Sequence, residues 1–422
     1  MREMRDSGNM WIGATPETWK MIPLKYLASY NDEVLSENTD DEFEFDYIEI
    51  GSVQYGRGII YTEHMKFKNA PSRARRIVRK DDIIVSTVRT YLKAVATIPA
   101  CNNSLIASTG FIVIRPHKVL PRFMNYALLS ESFISLVESH STGISYPAIN
   151  SVDVVKFKIP VPCRSEQERI AAFLDAECAE IDAVLEKTRA SIEEYKKLKQ
   201  AVITQAVTKG IRGDRPMKDS GIEWIGEISQ DFEIVKLKWL CDVLDQFRSP
   251  VTADKRNQNA DVLYDYYGAS GAIDKIDGYT IDDHVMLIGE DGANLRMRNL
   301  PIMYEINGKA WVNNHAHILK PKAGVDFYFI FYALEALDLN YYITGSAQPK
   351  LSQDNLRNIW VPITALTEQK RIAAYISDVC AKLDCLIARK QQYLIEIENY
   401  KKSLIYEYVT GKKEVKTNVL AD

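Results

Sequence analysis

A chain of 422 residues with 46% hydrophobic and 26% charged residues has the composition of a soluble globular protein with room for two to four domains. No run of 18 apolar residues exists, which excludes an ordinary membrane-spanning helix, and the opening "MREMRDSGNMWIG" has no apolar stretch of a secretion signal. A net charge of −4 excludes a protein that coats nucleic acid by bulk electrostatics, and six cysteines without a CxxC spacing read as buried, reduced thiols in a cytoplasmic chain.

Two charge windows open the chain. Residues 26–56 hold nine Asp or Glu and no Lys or Arg, which predicts a solvated face, with contact to a basic partner as the alternative. Residues 64–93 hold nine Lys or Arg against Asp81 and Asp82. Such a run is either a solvated face or a phosphate-contacting surface, and for the latter Arg73, Arg75, Arg76 and Lys80 are the candidates. "DIIVSTVRTYLKAVATI" at 82–98 and "GFIVIRP" at 110–116 alternate and branch like strands. Ser86, Thr87, Arg89, Tyr91 and Lys93 follow the apolar part of the first, where a loop can enter a major groove and an arginine can read guanine. Ser145 and Tyr146 stand before Pro147 as a further polar pair.

A long helix is expected next. Ser165 with Glu168 three residues on has the form of a capping box. Apolar residues then recur in steps of three and four, with Ile170, Leu174, Ile181, Val184, Leu185, Ile192, Val202 and Ile203 on one stripe. Gly210 ends the run. About 43 helical residues make a rod of about 65 Å, whose apolar stripe requires a partner.

The second half repeats the first at its edges. "DSGNMWIG" at 6–13 returns as "DSGIEWIG" at 219–226, and "LKYL" at 24–27 as "LKWL" at 237–240, an offset of 213. From Thr142 the offset is 202 without a gap: Thr142 and Gly143 map to Thr344 and Gly345, Pro147 to Pro349, Gln167 to Gln369 and Thr208 to Thr410. The second stripe places Ile372, Ile376, Leu383, Leu386, Ile387, Leu394 and Leu404 at equivalent positions, and Gly411 ends it. Between these edges the middles share strand character only: "HVMLIGEDGANL" at 284–295 and "KAWVNNHAHILKP" at 309–321 read as strands with turns. Constant flanks imply one shared task and divergent middles imply two different ones.

Candidate contacts in the second middle are Asn294, Arg296 and Arg298 on a glycine-bearing loop, Asn313, Asn314 and His315 in "NNHAH", and Gln348 and Lys350 beside Pro349. Asparagine suits adenine and arginine guanine, although a plain strand-connecting turn accounts equally for the loop. "DGAN" lacks the periodic oxygens of a calcium loop, and His315 with His317 do not make a zinc site without further ligands, so no metal is expected. Tyr264, Tyr266 and Tyr267 read as core and rim aromatics.

The doubled arrangement, "GISYPAI" at 143–149 with "EQERIAA" at 166–172 and "GSAQPKL" at 345–351 with "EQKRIAA" at 368–374, resembles the DNA-specificity subunit of type I restriction-modification enzymes over essentially the whole chain. The resemblance implies an α+β fold: two globular mixed α/β target recognition domains separated by two long antiparallel coiled-coil helices, as a pseudo-twofold internal repeat. The implied domains are 1–155, an N-terminal segment with the first recognition domain; 156–213, the first helix; 214–357, the second recognition domain; and 358–422, the second helix. It further implies that each domain reads half of a split DNA target, that the helices set the spacer and dock two methyltransferase subunits, and that two restriction subunits join them. Adenine N6 would be the methylated atom. No cofactor is implied in this chain; S-adenosylmethionine, ATP and Mg2+ would serve the partners.

The residues themselves carry no recognisable catalytic motif. No Pro-Pro pair, P-loop or dinucleotide glycine loop is present, so catalysis is expected to reside in partners. Two other classes stay open on sequence alone: an architectural or regulatory DNA-binding protein without enzyme partners, and a self-contained nuclease or methyltransferase with an unrecognised site.

Overall fold

A computed structural model describes residues 2–101, 103–256 and 261–415. The chain divides into two compact units: Met1–Arg189 with Gln392–Asp422, and Ala190–Gln391. Each unit therefore contains one α+β region and a stretch of both long helices.

In the first unit β1 (Lys20–Pro23), β2 (Ala28–Tyr30), β3 (Glu44–Ile48), β4 (Glu63–Lys66), β5 (Ala74–Val78), β6 (Ile83–Ser86), β7 (Val95–Thr97), β8 (Leu105–Ser108) and β9 (Phe111–Pro116) precede α1 (Pro121–Leu129) and α2 (Glu131–Ser139). They form two four-stranded sheets, ordered β7-β6-β9-β2 and β4-β3-β8-β5. The strand region expected at 82–98 is a hairpin: β6 ends at Ser86, and a 3-10 turn at Thr90–Leu92 lies between it and β7. Ile83, Val85, Ile112 and Ile114 face α1 and α2 in the core, while Ile84, Ala96, Phe111 and Val113 fill a second cluster against Ile48. A strand buried on both faces accounts for the near-continuous apolar run at 82–85.

β10 (Lys158–Val161) pairs antiparallel with β1 and leads into α3 (Arg164–Lys209), a helix of 46 residues. The capping box is not formed. The helix begins earlier than expected, Cys163 O accepts the amides of Glu166 and Gln167, and the Glu168 carboxylate turns to Arg164 Nε at 3.0 Å. Gly210 takes φ +78° and its amide closes on Ala206 O, the left-handed stop expected there.

The second unit rebuilds the frame with a different middle. β11 (Glu233–Lys236) later pairs with β18 (Trp360–Ile363), as β1 does with β10. Between them β12 (Cys241–Val243), β13 (Tyr264–Gly268), β14 (Gly271–Ile276), β15 (Ile281–Gly289), β16 (Met303–Val312) and β17 (Ala316–Pro321) make one six-stranded sheet, ordered β12-β17-β15-β16-β13-β14. α4 (Phe327–Ala336) covers it, and α5 (Leu366–Val409) is the second long helix, of 44 residues. Two sheets against one is the physical form of the divergent middles.

Within each unit the two helix stretches pack antiparallel. In the first, Lys401 Nζ meets both Asp182 oxygens at 2.7 and 2.8 Å, and Arg189 meets Glu398 at 2.7 Å. In the second, Lys199 Nζ meets both Asp384 oxygens at 2.7 Å. Lys199 and Lys401, like Asp182 and Asp384, stand 202 apart, so the repeat makes the same bridge twice. The stripes are buried in mixed cores: Ile170, Leu174 and Cys178 with Leu404, Ile405 and Val409 in one unit, and Ile203 and Val207 with Ile372, Ile376 and Cys380 in the other. Leu185, Ile192 and Leu383 are buried, while Ile181, Val202, Ile387 and Leu394 are half-buried. Val184 and Leu386 are exposed, which corrects their place in the stripe: a straight helix of 3.6 residues per turn drifts off any fixed seam. Cys101, Cys163 and Cys385 are exposed free thiols, against the expectation that all six are buried.

Candidate nucleic-acid interface

The repeated phrase beginning Thr-Gly folds into the same closed loop in both units. Thr142 and Ala148 exchange two backbone hydrogen bonds of 2.9 Å, and Thr344 and Lys350 exchange bonds of 2.9 and 2.8 Å. Only glycine fits the first turn. Gly143 has φ +108° and Gly345 φ +81°, and a Cβ on Gly345 would stand 2.4 Å from Gln348 O. Pro147 and Pro349 close the other side. Three side chains are left facing water in each loop: Ile144, Ser145 and Tyr146 in one, Ser346, Ala347 and Gln348 in the other.

Each closed loop is docked on the segment that leaves a central strand. In the first unit Val88 bridges Ala148, Ile149 N donates to Thr87 O at 2.8 Å and Thr90 N to Pro147 O at 3.4 Å. In the second Asp291 bridges Lys350, Leu351 N donates to Glu290 O at 2.7 Å and Gly292 N to Pro349 O at 3.1 Å. A constant seam thus holds two loops side by side, and their outward side chains differ between units.

On the first seam Arg89 is exposed, takes φ +51°, and lies over the Tyr146 ring at 5.4 Å. Tyr91 and Tyr146 are exposed, and Lys93 reaches Glu138 at 3.4 Å. Arg73 is exposed beside them, its carbonyl accepting Thr109 N while the next residue, Gly110, accepts Thr87 N through its own carbonyl. Ser86 and Thr87 are buried, and Thr87 Oγ1 donates to Gly110 O at 3.0 Å. These two are structural, a correction to the expectation that they face a groove.

Part of the basic window, Lys66, Lys68 and Arg79, is met by the acidic one, the two lysines because β3 and β4 pair across a sheet. Glu42 takes Lys66 at 2.7 Å and also Lys68, Glu33 takes Arg79 and Arg115 at 2.7 Å each, and Asp46 takes His64 at 2.9 Å. The Arg115 and Arg79 hydrogen bonds hold the Glu33 carboxyl below its ordinary range, and those of Lys66 and Lys68 do the same for Glu42. The acidic run is therefore half of an ion-pair lattice, not a bare solvated face. Arg75 lies over Phe67 at 4.9 Å, and Arg76 is half-buried, its pKa lowered by burial and its Nε without a hydrogen-bond partner among the described residues. Lys80 is exposed.

On the second seam His315 is exposed and its Nδ1 meets Asp291 at 2.8 Å; Asn314, Gln348 and Lys350 are exposed too. Arg296 is exposed, its Nη2 donating to Ile343 O at 3.1 Å. Three expected contacts are corrected. Asn294 spends its amide on Leu300 O and Pro301 O and accepts Leu300 N, which ties its own loop. Arg298 donates to Glu335 O and Leu337 O at 2.9 Å, capping α4, and burial lowers its pKa. Asn313 is buried and accepts His315 N.

A buried polar cluster lies under this seam and has no sequence signal. His317 Nδ1 meets Asp245 at 2.6 Å, its Nε2 donates to Leu351 O at 2.8 Å, and Arg248 joins Asp245 to Glu290. Burial pushes the Asp245 carboxyl up, but the His317 contact and the Ile318 amide outweigh it and leave the pKa below its ordinary value. Glu290 follows the same pattern, with Arg248 and Lys350 outweighing burial. Tyr266 is buried under Arg256 at 4.1 Å, while Tyr264 and Tyr267 lie half-buried at the rim, as expected of core and rim aromatics. Among the described residues no group of three or more His, Cys, Asp or Glu side chains is placed to hold a metal ion, and no helix is long and apolar enough to cross a membrane.

One frame built twice, with unlike side chains presented on it, defines a duplicated α+β protein of the reader type. The chain belongs to the family of the type I restriction modification DNA specificity domain, whose model matches residues 16–194 and again 229–398. It is 26% identical to the type I restriction enzyme MjaVIII specificity subunit of Methanocaldococcus jannaschii, over 95% of this chain and 94% of that one. It is 24% identical to a putative type I restriction enzyme MjaX specificity subunit of the same organism, over 96% of each. A solved structure, described as the structural basis of complex assembly and conformational transition of the type I R-M system, matches with a TM-score of 0.73 at 20% identity, over 94% of this chain and 99% of that one. That last likeness is one of fold.

Proposed function

We propose that this chain is the non-catalytic, sequence-specific DNA-binding subunit of a cytoplasmic type I restriction-modification enzyme, reading a target split into two halves. The observation that carries the reading is the doubled seam, where closely similar backbone bonding holds the loops that present Arg89, Tyr91, Ser145 and Tyr146 in one unit and Asn314, His315, Gln348 and Lys350 in the other. Base edges in a major groove are read by such side chains, and Arg73, Lys80, Lys93 and Arg296 are placed in the reading as phosphate contacts. Arg75 and Arg76 are left to the sheet, since the first is stacked on Phe67 and the second is half-buried.

In this reading the paired helices fix the distance between the two half-sites and dock two methyltransferase subunits, which transfer methyl from S-adenosylmethionine to adenine N6. Two restriction subunits using ATP and Mg2+ complete the nuclease. Two linked readers raise the effective concentration of the second at its half-site, so modest contacts per half suffice.

The test is a map of N6-methyladenine in host DNA with and without the chain. A split motif that vanishes with the chain is expected, and replacing residues 22–150 with another family member's region should alter one half only. Methylation that persists without the chain, or a change in both halves, overturns the reading.

A further inference from the structure

The reading loop of the first unit carries a side chain that the seam does not explain. Ile144 is 104% exposed, on a loop pinned by Gly143, Pro147 and the Thr142–Ala148 bonds. It is more exposed than Tyr91 and Tyr146, which are 53% and 67% exposed. Isolated apolar residues on a surface are ordinary, but three large ones on a single bonded seam, with Arg89 over Tyr146, form a patch. A β-branched side chain is also stiff, so Ile144 is held ready with little rotamer freedom to lose. Its counterpart 202 residues on is Ser346, a small polar group, so the frame does not require an apolar residue there.

Base edges in the major groove offer one apolar group, the thymine C5-methyl. We propose that Ile144 is a specificity-determining residue of the first unit, which packs against a thymine methyl in the half-site that this unit reads. The inference rests on the function proposed above and adds to it a base identity at one position. At the equivalent position of the second loop a serine stands in its place.

The experiment uses the full chain assembled with its methyltransferase partner and duplexes in which each thymine of the target is replaced in turn by deoxyuridine. Removing one methyl from one position of the first half-site should weaken wild-type binding about fourfold, the worth of one buried methyl group. The Ile144→Ser protein should bind the parent duplex more weakly by a similar factor and be indifferent to deoxyuridine at that position. Ile144→Val should retain the sensitivity. The proposal is overturned if no deoxyuridine in that half-site matters, if the sensitivity survives in Ile144→Ser, or if Ile144→Ser weakens all duplexes equally, as an unspecific wedge between bases would. Wild-type protein with no preference for any duplex would instead overturn the underlying function.

Discussion

Replacing Gly345 by alanine tests whether the closed loop is what reads DNA. Gly345 sits at φ +81°, where an L-residue costs about 1–2 kcal/mol. Its new Cβ would stand 2.4 Å from Gln348 O, about an ångström inside normal contact, so the loop must open. Opening endangers the two Thr344–Lys350 bonds, at about 1 kcal/mol each. The φ penalty and the Cβ–oxygen conflict, the latter at about 1–3 kcal/mol for such crowding, raise the closed loop by about 2–4 kcal/mol while its two bonds oppose opening, so the closed population falls and apparent affinity weakens by up to about 30-fold. Thr344 and residues 345–348 are exposed, so the fold itself should hold and the melting temperature change little. The same change at Gly143 places Cβ 3.1 Å from Tyr146 O, a milder conflict, and should cost about tenfold. The assay is titration of the assembled complex with duplexes altered in one half-site at a time, where Gly345→Ala should lose discrimination in the second half-site and Gly143→Ala in the first. Equal affinity for parent and variants, or loss of discrimination in the wrong half, would refute the loop as reader.

Arg89→Lys keeps the charge but loses the planar group over Tyr146, so it should relax discrimination at one base pair of the first half-site by about 1–3 kcal/mol. Arg298→Ala should lower the melting temperature, since it strips two carbonyls of α4 of their donor at about 1–3 kcal/mol each, and leave sequence preference alone. Asp182→Lys should destabilise by about 1 kcal/mol because Asp182 is half-exposed, and Lys401→Asp by more, because Lys401 is 12% exposed and also donates to Gly56 O; in a denaturant titration the double reversal should recover the ion-pair part only. Asp245 and Glu290 both titrate below their ordinary values in the folded chain, so their contribution is present above the unfolded carboxylate range and lost as pH falls through the depressed pKa values. Denaturant stability should therefore fall between pH 7 and about pH 3, and fall less in Asp245→Asn, whose unchanged pH slope would refute this assignment.

What could be read from sequence was what the repeat fixes. Arg2 and Arg215, 213 apart, reach Glu166 and Glu368, which are 202 apart; Gln167 and Gln369 each accept a distant amide, from Leu120 and from Asp326, at 2.8 Å. The constant Glu-Gln pair at each helix start is thus an anchor between the helix, the N-terminal segment and the turn before α1 or α4. Its recurrence in the sequence announced a shared frame without revealing that the frame is made of buried hydrogen bonds. The capping box failed for the same reason. Ser165 has the right spacing, but a neighbouring carbonyl, Cys163 O, already satisfies the first amides.

For the proposed contacts, only exposure that the backbone alone decided was legible. Arg89, Tyr91, Tyr146, His315 and Gln348 stay exposed because the seam is bonded through main-chain groups. Asn294, Arg298 and Asn313 were misread because their partners are carbonyls and amides that spacing does not reveal; Arg298 bonds to residues 37 and 39 positions away. Lys66 and Lys68 were misread as part of a separate basic surface because the antiparallel pairing of β3 with β4 brings them to Glu42. One consequence follows for evolution of specificity. In the function proposed above, a seam made of backbone bonds, two glycines and two prolines leaves the outward side chains at 144–146 and 346–348 outside the frame, so substitution there would change the target without loss of the fold. The stabilising groups and the proposed reading groups are different atoms of the same loops, which is the physical condition for changing one without the other.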